Sequence, residues 1–170
     1  MLIKLENPQL LTKAVELISD LVSEVRIKLN EFGLSITAMD PANVAMVNFK
    51  LPKSTFKEYE AGQETLGINL DDLKKILKRC GPNSILVIER KETLLHIEIQ
   101  DRIKRHFTLG LIDIDSEERP VPGLEFTSNI VLDSQDIVDA IEDASVVDDA
   151  CSFIVENGKF IIEARGMNSS

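Results

Sequence analysis

The groups in this chain best suited to chemistry are basic, and they cluster. The run LDDLKKILKRC places Lys74, Lys75 and Lys78 on the polar face of a helical stretch, with Arg79 beside them. A row of cationic side chains on one helix face can touch the phosphates of a nucleic acid without reading its bases. The same run also reads as a plain, well-capped surface helix, because Asp71 and Asp72 stand at its N-terminal end, where the helix macrodipole favours acids. An earlier helical stretch adds only Lys13, offset by Glu16 and Asp20.

Catalytic patterns are absent. The sequence contains no GxxxxGK[ST], GxGxxG, HExxH or GxSxG. His96 and His106 each fall in an alternating strand pattern, with no cysteine or carboxylate at metal-ligand spacing, so both read as strand histidines. The acids Asp133, Asp136, Asp139, Glu142 and Asp143 follow the spacing of a solvated helix face, and Asp113 and Asp115 alternate on a strand end. Cys80 and Cys151 lie far apart and outside any CxxC pattern. This excludes a disulfide framework or a cysteine zinc site, fits a reducing intracellular setting, and makes both cysteines candidates for small buried apolar residues. No enzyme, metal or cofactor is expected.

The chain has 170 residues, 44% apolar and 28% charged, and a net charge of -10. This length gives one large domain or a domain and a fraction, with roughly 70% of the extended surface buried on folding. No apolar run is long enough for a membrane span, and no secretory signal is visible at the N-terminus. The charge is uneven. Residues 1–119 carry 19 acids and 17 bases, residues 120–170 carry 10 acids and 2 bases, and no Lys or Arg falls between Arg119 and Lys159. Polyanion binding over the whole surface is thereby excluded, and a nucleic-acid role needs a local basic face.

The elements that must position that face repeat. Helices are expected from Pro8, Asp71 and Ser134, 63 residues apart each time. Leu10, Leu11, Ala14, Val15, Ile18, Leu21 and Val22 form the apolar side of the first. Leu73, Ile76, Leu77 and Cys80 form that of the second, which Gly81-Pro82 stops. Ile137, Val138, Ile141 and Ala144 form that of the third. A short strand precedes each helix, at 2–6, 66–70 and 130–133. Alternating strands follow at 24–30, 34–39 and 44–51, at 85–90, 93–99 and 104–113, and at 151–156 and 159–164 around the Asn157-Gly158 turn. The units therefore read β-α-β-β-β, with antiparallel sheets and both helices on one face, an α+β class. The expected organisation is a two-unit domain at 1–115, a connector at 116–127, and the first part of a second domain at 128–170. Val121, Leu124 and Phe126 look buried, as though the connector lies against a domain. A four-unit chain would need about 250 residues, so the sequence reads as a fragment.

Three runs carry a resemblance: LGINLDDLKKILKR (66–79), ITAMDPANVAMVNFKL (36–51) and LGLIDIDSEERPVPGLEFT (109–127). Together, and in order over essentially the whole chain, they resemble the proliferating cell nuclear antigen family of DNA sliding clamps, in its archaeal form. The resemblance implies the DNA-clamp fold and a ring of three two-domain chains around duplex DNA, held without sequence specificity. It implies DNA replication and repair as the setting, with a clamp loader, DNA polymerase, flap endonuclease and DNA ligase as partners and the cytoplasm as the location (the nucleus for a eukaryotic source).

By position, Lys13, Lys75 and Lys78 match channel lysines facing the DNA backbone, with Lys74 and Arg79 as additions. Met39, Val44, Met46, Val121, Pro122 and Phe126 fall in the pocket that receives short apolar-aromatic motifs, although Val44 and Met46 also read as strand core. The subunit contact would use the strand at 104–111, with Lys104, Phe107, Leu109 and Leu111, against a strand following Gly166 in the next chain. As only 167–170 of that strand exists here, the chain as written is expected not to close a normal ring. The third helix departs from the family, with acids where many relatives carry basic residues, and cannot grip phosphate. A non-encircling peptide-binding scaffold, or a truncated paralogue, is the alternative.

Overall fold

The computed structural model describes residues 1–114 and 121–166. The chain divides into two compact units, Met1–Val121 and Pro122–Ser170. The first contains β1 (Leu2–Leu5), α1 (Gln9–Ser19), β2 (Glu24–Asn30), β3 (Gly33–Met39), β4 (Met46–Pro52), β5 (Glu58–Glu60), β6 (Glu64–Asn69), α2 (Leu70–Leu77), β7 (Ile85–Lys91), β8 (Leu94–Gln100) and β9 (Lys104–Gly110). These strands form two antiparallel sheets, ordered β5-β1-β7-β8-β9 and β4-β3-β2-β6.

The order reveals an exchange between the repeats. The leading strand of the first repeat, β1, pairs with β7 of the second (Ile3 opposite Ile88), and the leading strand of the second, β6, pairs with β2 of the first (Ile68 opposite Val25). Each repeat thus completes its neighbour's sheet. Period-two alternation turns Val25, Ile27 and Leu29 of β2, Leu34, Ile36 and Ala38 of β3, and Leu95, Ile97 and Ile99 of β8 into one shared core. α1 adds Leu11, Val15 and Ile18, and α2 adds Leu70, Leu73 and Leu77. The two helices pack side by side. A side chain of this size, fully buried, contributes about 1.5–3 kcal/mol of transfer free energy.

Local chemistry sets the helix ends. The Asn7 Oδ1 accepts from the Gln9 amide at 3.2 Å while Pro8 occupies the cap. The Asn69 side chain accepts from the Asp72 amide at 3.1 Å, so α2 starts one residue before Asp71. Its regular turns end at Leu77, and the Arg79 and Cys80 amides bond back three residues, to the Ile76 and Leu77 carbonyls. Lys78 and Arg79 therefore stand on a tightened exit turn rather than in the helix body. Leu10, expected inside, is 57% exposed. The strand expected from Val44 begins at Met46, and the short acidic β5 had no signal in the pattern.

Past β9 the chain passes from one sheet to the other. The Leu111 amide donates to the Thr93 carbonyl at 2.8 Å, and the Ile112 amide donates to the Gly67 carbonyl of β6 at 3.0 Å. Of the expected connector, 116–120 lies outside the described residues, as does Asp115. Val121, Leu124 and Phe126 are 54%, 61% and 80% exposed, so the apolar side chains expected to be covered face solvent.

The second unit contains α3 (Ser134–Ser145), β10 (Ser152–Glu156) and β11 (Lys159–Glu163). The Asp133 side chain accepts from the Gln135 amide at 2.8 Å and caps α3. Asn157 and Gly158, at φ 51 and 74, make the tight turn of the β10-β11 hairpin. The expected strand at 130–133 does not form: a strand needs a hydrogen-bonding partner, and none of the described strands pairs with it. Val131 is 94% exposed. Cys151, expected to be buried, is exposed, and Cys80 is half-buried. No helix among the described residues is long and apolar enough to cross a membrane.

Candidate nucleic-acid and peptide interfaces

The packing of α1 against α2 gathers the basic residues. Lys78 Nζ lies 2.7 Å from Glu16 Oε1 and Lys74 Nζ lies 3.3 Å from Asp20 Oδ1, so two ion pairs cross between the helices. Lys74 also donates to the Ser19 hydroxyl at 2.8 Å, and its side chain is the most sunken of the group. Lys75 pairs with Asp72 of its own helix at 2.8 Å and remains 75% exposed. Lys13, one turn from Glu16 on α1, and Arg79 are exposed, with no ion pair among the described residues.

The hydrogen bond from Lys78, with its charge, holds the Glu16 carboxyl below the usual range. The hydrogen bond to Asp72, with its charge, raises the Lys75 ammonium above its ordinary value. Exposed ion pairs of this kind contribute little, because water and salt screen them. A lysine can therefore leave its carboxylate for a phosphate oxygen and return. The carboxylates opposite the lysines hold the attraction of the face low. Spacing alone identified the cations; the pairing of Lys74 and Lys78 across two helices was not visible in it.

The second candidate surface is built by Asp40. Its Oδ1 accepts from the Val44 amide at 2.7 Å and from the Ala45 amide at 2.8 Å, while its own amide donates to the Ala45 carbonyl at 3.0 Å. Asn43 takes φ 58, the left-handed region that asparagine tolerates. The amides of Ala45 and then Val44 hold the Asp40 carboxyl below its ordinary range. This tied loop sits directly above the last cross-strand pair, Met39 opposite Met46, both half-buried. Val44 is not strand core but stands on the loop, 86% exposed. Val121, Pro122 and Phe126 are exposed, the last two in the other unit. The organising role of Asp40 was missed; an Asp five residues before Ala45 in a Pro- and Asn-containing stretch was the available signal.

The third is the β9 edge. One side of β9 pairs with β8, and no described strand pairs with the other. Leu109 is buried and Phe107 half-buried on its inner face, Lys104 and His106 point outward, and Leu111 follows the strand, half-buried. The β8-β9 register sets Glu98 opposite His106, with carboxylate oxygens 3.4 Å from a His106 ring nitrogen and 3.4 Å from Lys104 Nζ. The hairpin register of the consecutive strands β8 and β9 supplies a carboxylate that spacing did not. Among the described residues no group of three or more His, Cys, Asp or Glu could hold a metal ion.

Residues 1–119 match the family model described as proliferating cell nuclear antigen, N-terminal domain. Over 163 residues the chain is 36% identical to a DNA polymerase sliding clamp of Pyrococcus horikoshii, covering 95% of this chain and 66% of that protein. Over 151 residues it is 42% identical to a DNA polymerase sliding clamp of Thermococcus onnurineus, covering 87% and 60%. The chain thus spans less than two thirds of the length of these relatives. Its fold superposes on one chain of a PCNA2-PCNA3 complex from Sulfolobus tokodaii with a TM-score of 0.86 at 26% identity, covering 100% of this chain and 71% of that one. It superposes on PCNA from Thermococcus kodakaraensis with a TM-score of 0.92 at 24% identity, covering 99% and 69%; this second likeness is one of fold.

Proposed function

As the chain belongs to the proliferating cell nuclear antigen family, we propose that it serves in a DNA polymerase sliding clamp, a three-chain ring that encircles duplex DNA and tethers replication and repair proteins to it. The observation that carries this reading is the basic face of α1 and α2, where Lys74, Lys75 and Lys78 are paired with carboxylates that keep their hold weak and Lys13 and Arg79 stand exposed. A ring that must slide needs phosphate contacts that exchange, not base contacts that lock. No catalytic step is assigned to any residue. The β9 edge, with Lys104, Phe107, Leu109 and Leu111, is the subunit contact in this reading, because its backbone donors and acceptors offer a ladder to another chain. Residues 1–115 are the first clamp domain, 116–127 the connector and 128–170 part of a second domain.

Partner proteins dock through short apolar-aromatic motifs on Met39, Val44, Met46, Val121, Pro122 and Phe126. The pliable Met39–Met46 pair and the exposed Val44 and Phe126 support this. A clamp loader opens the ring, and DNA polymerase, flap endonuclease and DNA ligase are the motif bearers, in the cytoplasm of an archaeal cell. The test is retention on DNA after clamp loading. In a clamp whose second domain is complete, salt-resistant retention on nicked circular DNA, lost on linearisation, is expected; equal retention on circular and linear DNA overturns encirclement.

The acidic α3 favours a second reading. Asp136 lies in its first turn, Asp139, Glu142 and Asp143 follow, and its last turn has no basic residue, so this helix repels phosphate. A scaffold that binds partner peptides without encircling DNA would give peptide binding with no topological retention in the same experiment.

A further inference from the structure

Between β9 and the connector, two residues hold the chain. The chain after β9 lies along the outer edge of β6, with the Ile112 amide on the Gly67 carbonyl at 3.0 Å. Gly67 has no side chain to hold it off: a Cβ there would overlap the Ile112 carbonyl oxygen and press on the Ile114 side chain. Opposite Gly67 in the ladder is Arg26 of β2, whose guanidinium donates to the Ile114 carbonyl. Arg26 lies on the outer face of the sheet, since its neighbours Val25 and Ile27 are buried. Met39 lies on that same outer face, because Ile36 and Ala38 beside it in β3 are buried, and Met46 is its register partner.

We propose that Arg26 and Gly67 are positioning residues for peptide recognition, fixing the segment 112–114 on the sheet whose outer face carries Met39 and Met46. The role in recognition rests on the peptide-docking reading above. Gly67 lets the backbone approach, and Arg26 holds the carbonyl two residues further along, so the path is set at two points. A guanidinium suits the second point, because its planar fork can meet a carbonyl while its stem packs on the sheet. Lysine offers a point charge without that geometry.

The test uses the whole chain with Arg26→Ala, Arg26→Lys and Gly67→Ala. Two quantities are measured: hydrogen exchange of the Ile112 amide, and the dissociation constant for a fluorescently labelled peptide bearing a short apolar-aromatic motif. Loss of one charge-assisted hydrogen bond predicts that Arg26→Ala speeds Ile112 exchange about tenfold and weakens the peptide by a similar factor, with the thermal midpoint of the first unit nearly unchanged. Arg26→Lys restores part of both, and Gly67→Ala reproduces both by pushing the backbone away. Unchanged exchange in Arg26→Ala overturns the docking role. Faster exchange with unaltered peptide affinity overturns the role in recognition. If the unsubstituted chain does not hold the peptide, the recognition role falls with the peptide-docking reading, and the docking role is decided by exchange alone.

Discussion

At Asp40 one carboxylate holds two amides and so keeps Val44 presented above Met39 and Met46. Asp40→Ala is expected to leave the fold intact, to speed exchange of the Val44 and Ala45 amides, and to weaken peptide binding about tenfold. Asp40→Asn, which keeps a carbonyl acceptor, loses less. The carboxyl is depressed in the folded chain, so its contribution is present above the ordinary value of 3.8 and is lost as pH falls through the lower folded value. A titration following the Val44 amide by NMR should therefore show a midpoint below 3.8; a midpoint above it contradicts the assigned hydrogen bonds. Burial, with Asp101 adding to it, pushes the Cys80 thiol up to about 11, whereas Cys151 is exposed. A maleimide at neutral pH should modify Cys151 first and Cys80 only on unfolding, read by intact mass. The strand positions of Met39 and Met46 were legible, since alternation marks a strand, while their place in a peptide pocket came from the resemblance alone. Val44 was not legible, because a valine two places from a methionine continues the alternation, and only the Asp40 carboxylate breaks it.

Among the elements, α1 and α2 form the surface whose charge balance would decide DNA binding in the proposed function. Each of Lys13→Ala, Lys75→Ala and Lys78→Ala should weaken DNA binding uniformly across sequences and lower the salt slope of log affinity by about 0.9, if each lysine neutralises one phosphate. Lys74→Ala should change that slope least, because Lys74 is sunk between Ser19 and Asp20. Leu77→Ala, at a site with 0% exposure, should cost about 2–5 kcal/mol, seen as a lower thermal midpoint without a change in salt slope. The helices and long strands were readable because Leu11, Val15 and Ile18 recur at helical spacing and Ile27, Leu29 and Ile36 alternate. The three residues of β5 were not, being too short and too acidic to show a period. The absent strand at 130–133 has the right residues, but pairing belongs to two segments and one segment cannot reveal it.

The molecule as a whole divides unevenly. Among the described residues, the first unit holds nearly all the buried side chains, while the second has one buried apolar residue, Ala144, and a two-stranded sheet with Phe153 and Ile161 exposed. With so little apolar surface buried, the second unit has little to offset the entropy of ordering its chain. Heating followed by hydrogen exchange should show 134–163 opening well before 1–114. One cooperative transition spanning both units would contradict that order.

The exchange of leading strands sets a timetable for birth on the ribosome. Leu2–Leu5 emerges well before Ile85–Lys91, and Ile3 must wait for Ile88 before its backbone is fully paired. No stretch of about 60 residues can close by itself, and a late, long-range closure of this kind is slow because loop entropy is lost before contacts return it. A stalled nascent chain ending before Ile85 should leave its N-terminal strand open to protease, and one carrying Lys91 clear of the exit tunnel should not. The two modules are in effect a tethered handshake, in which neither hand can close on its own.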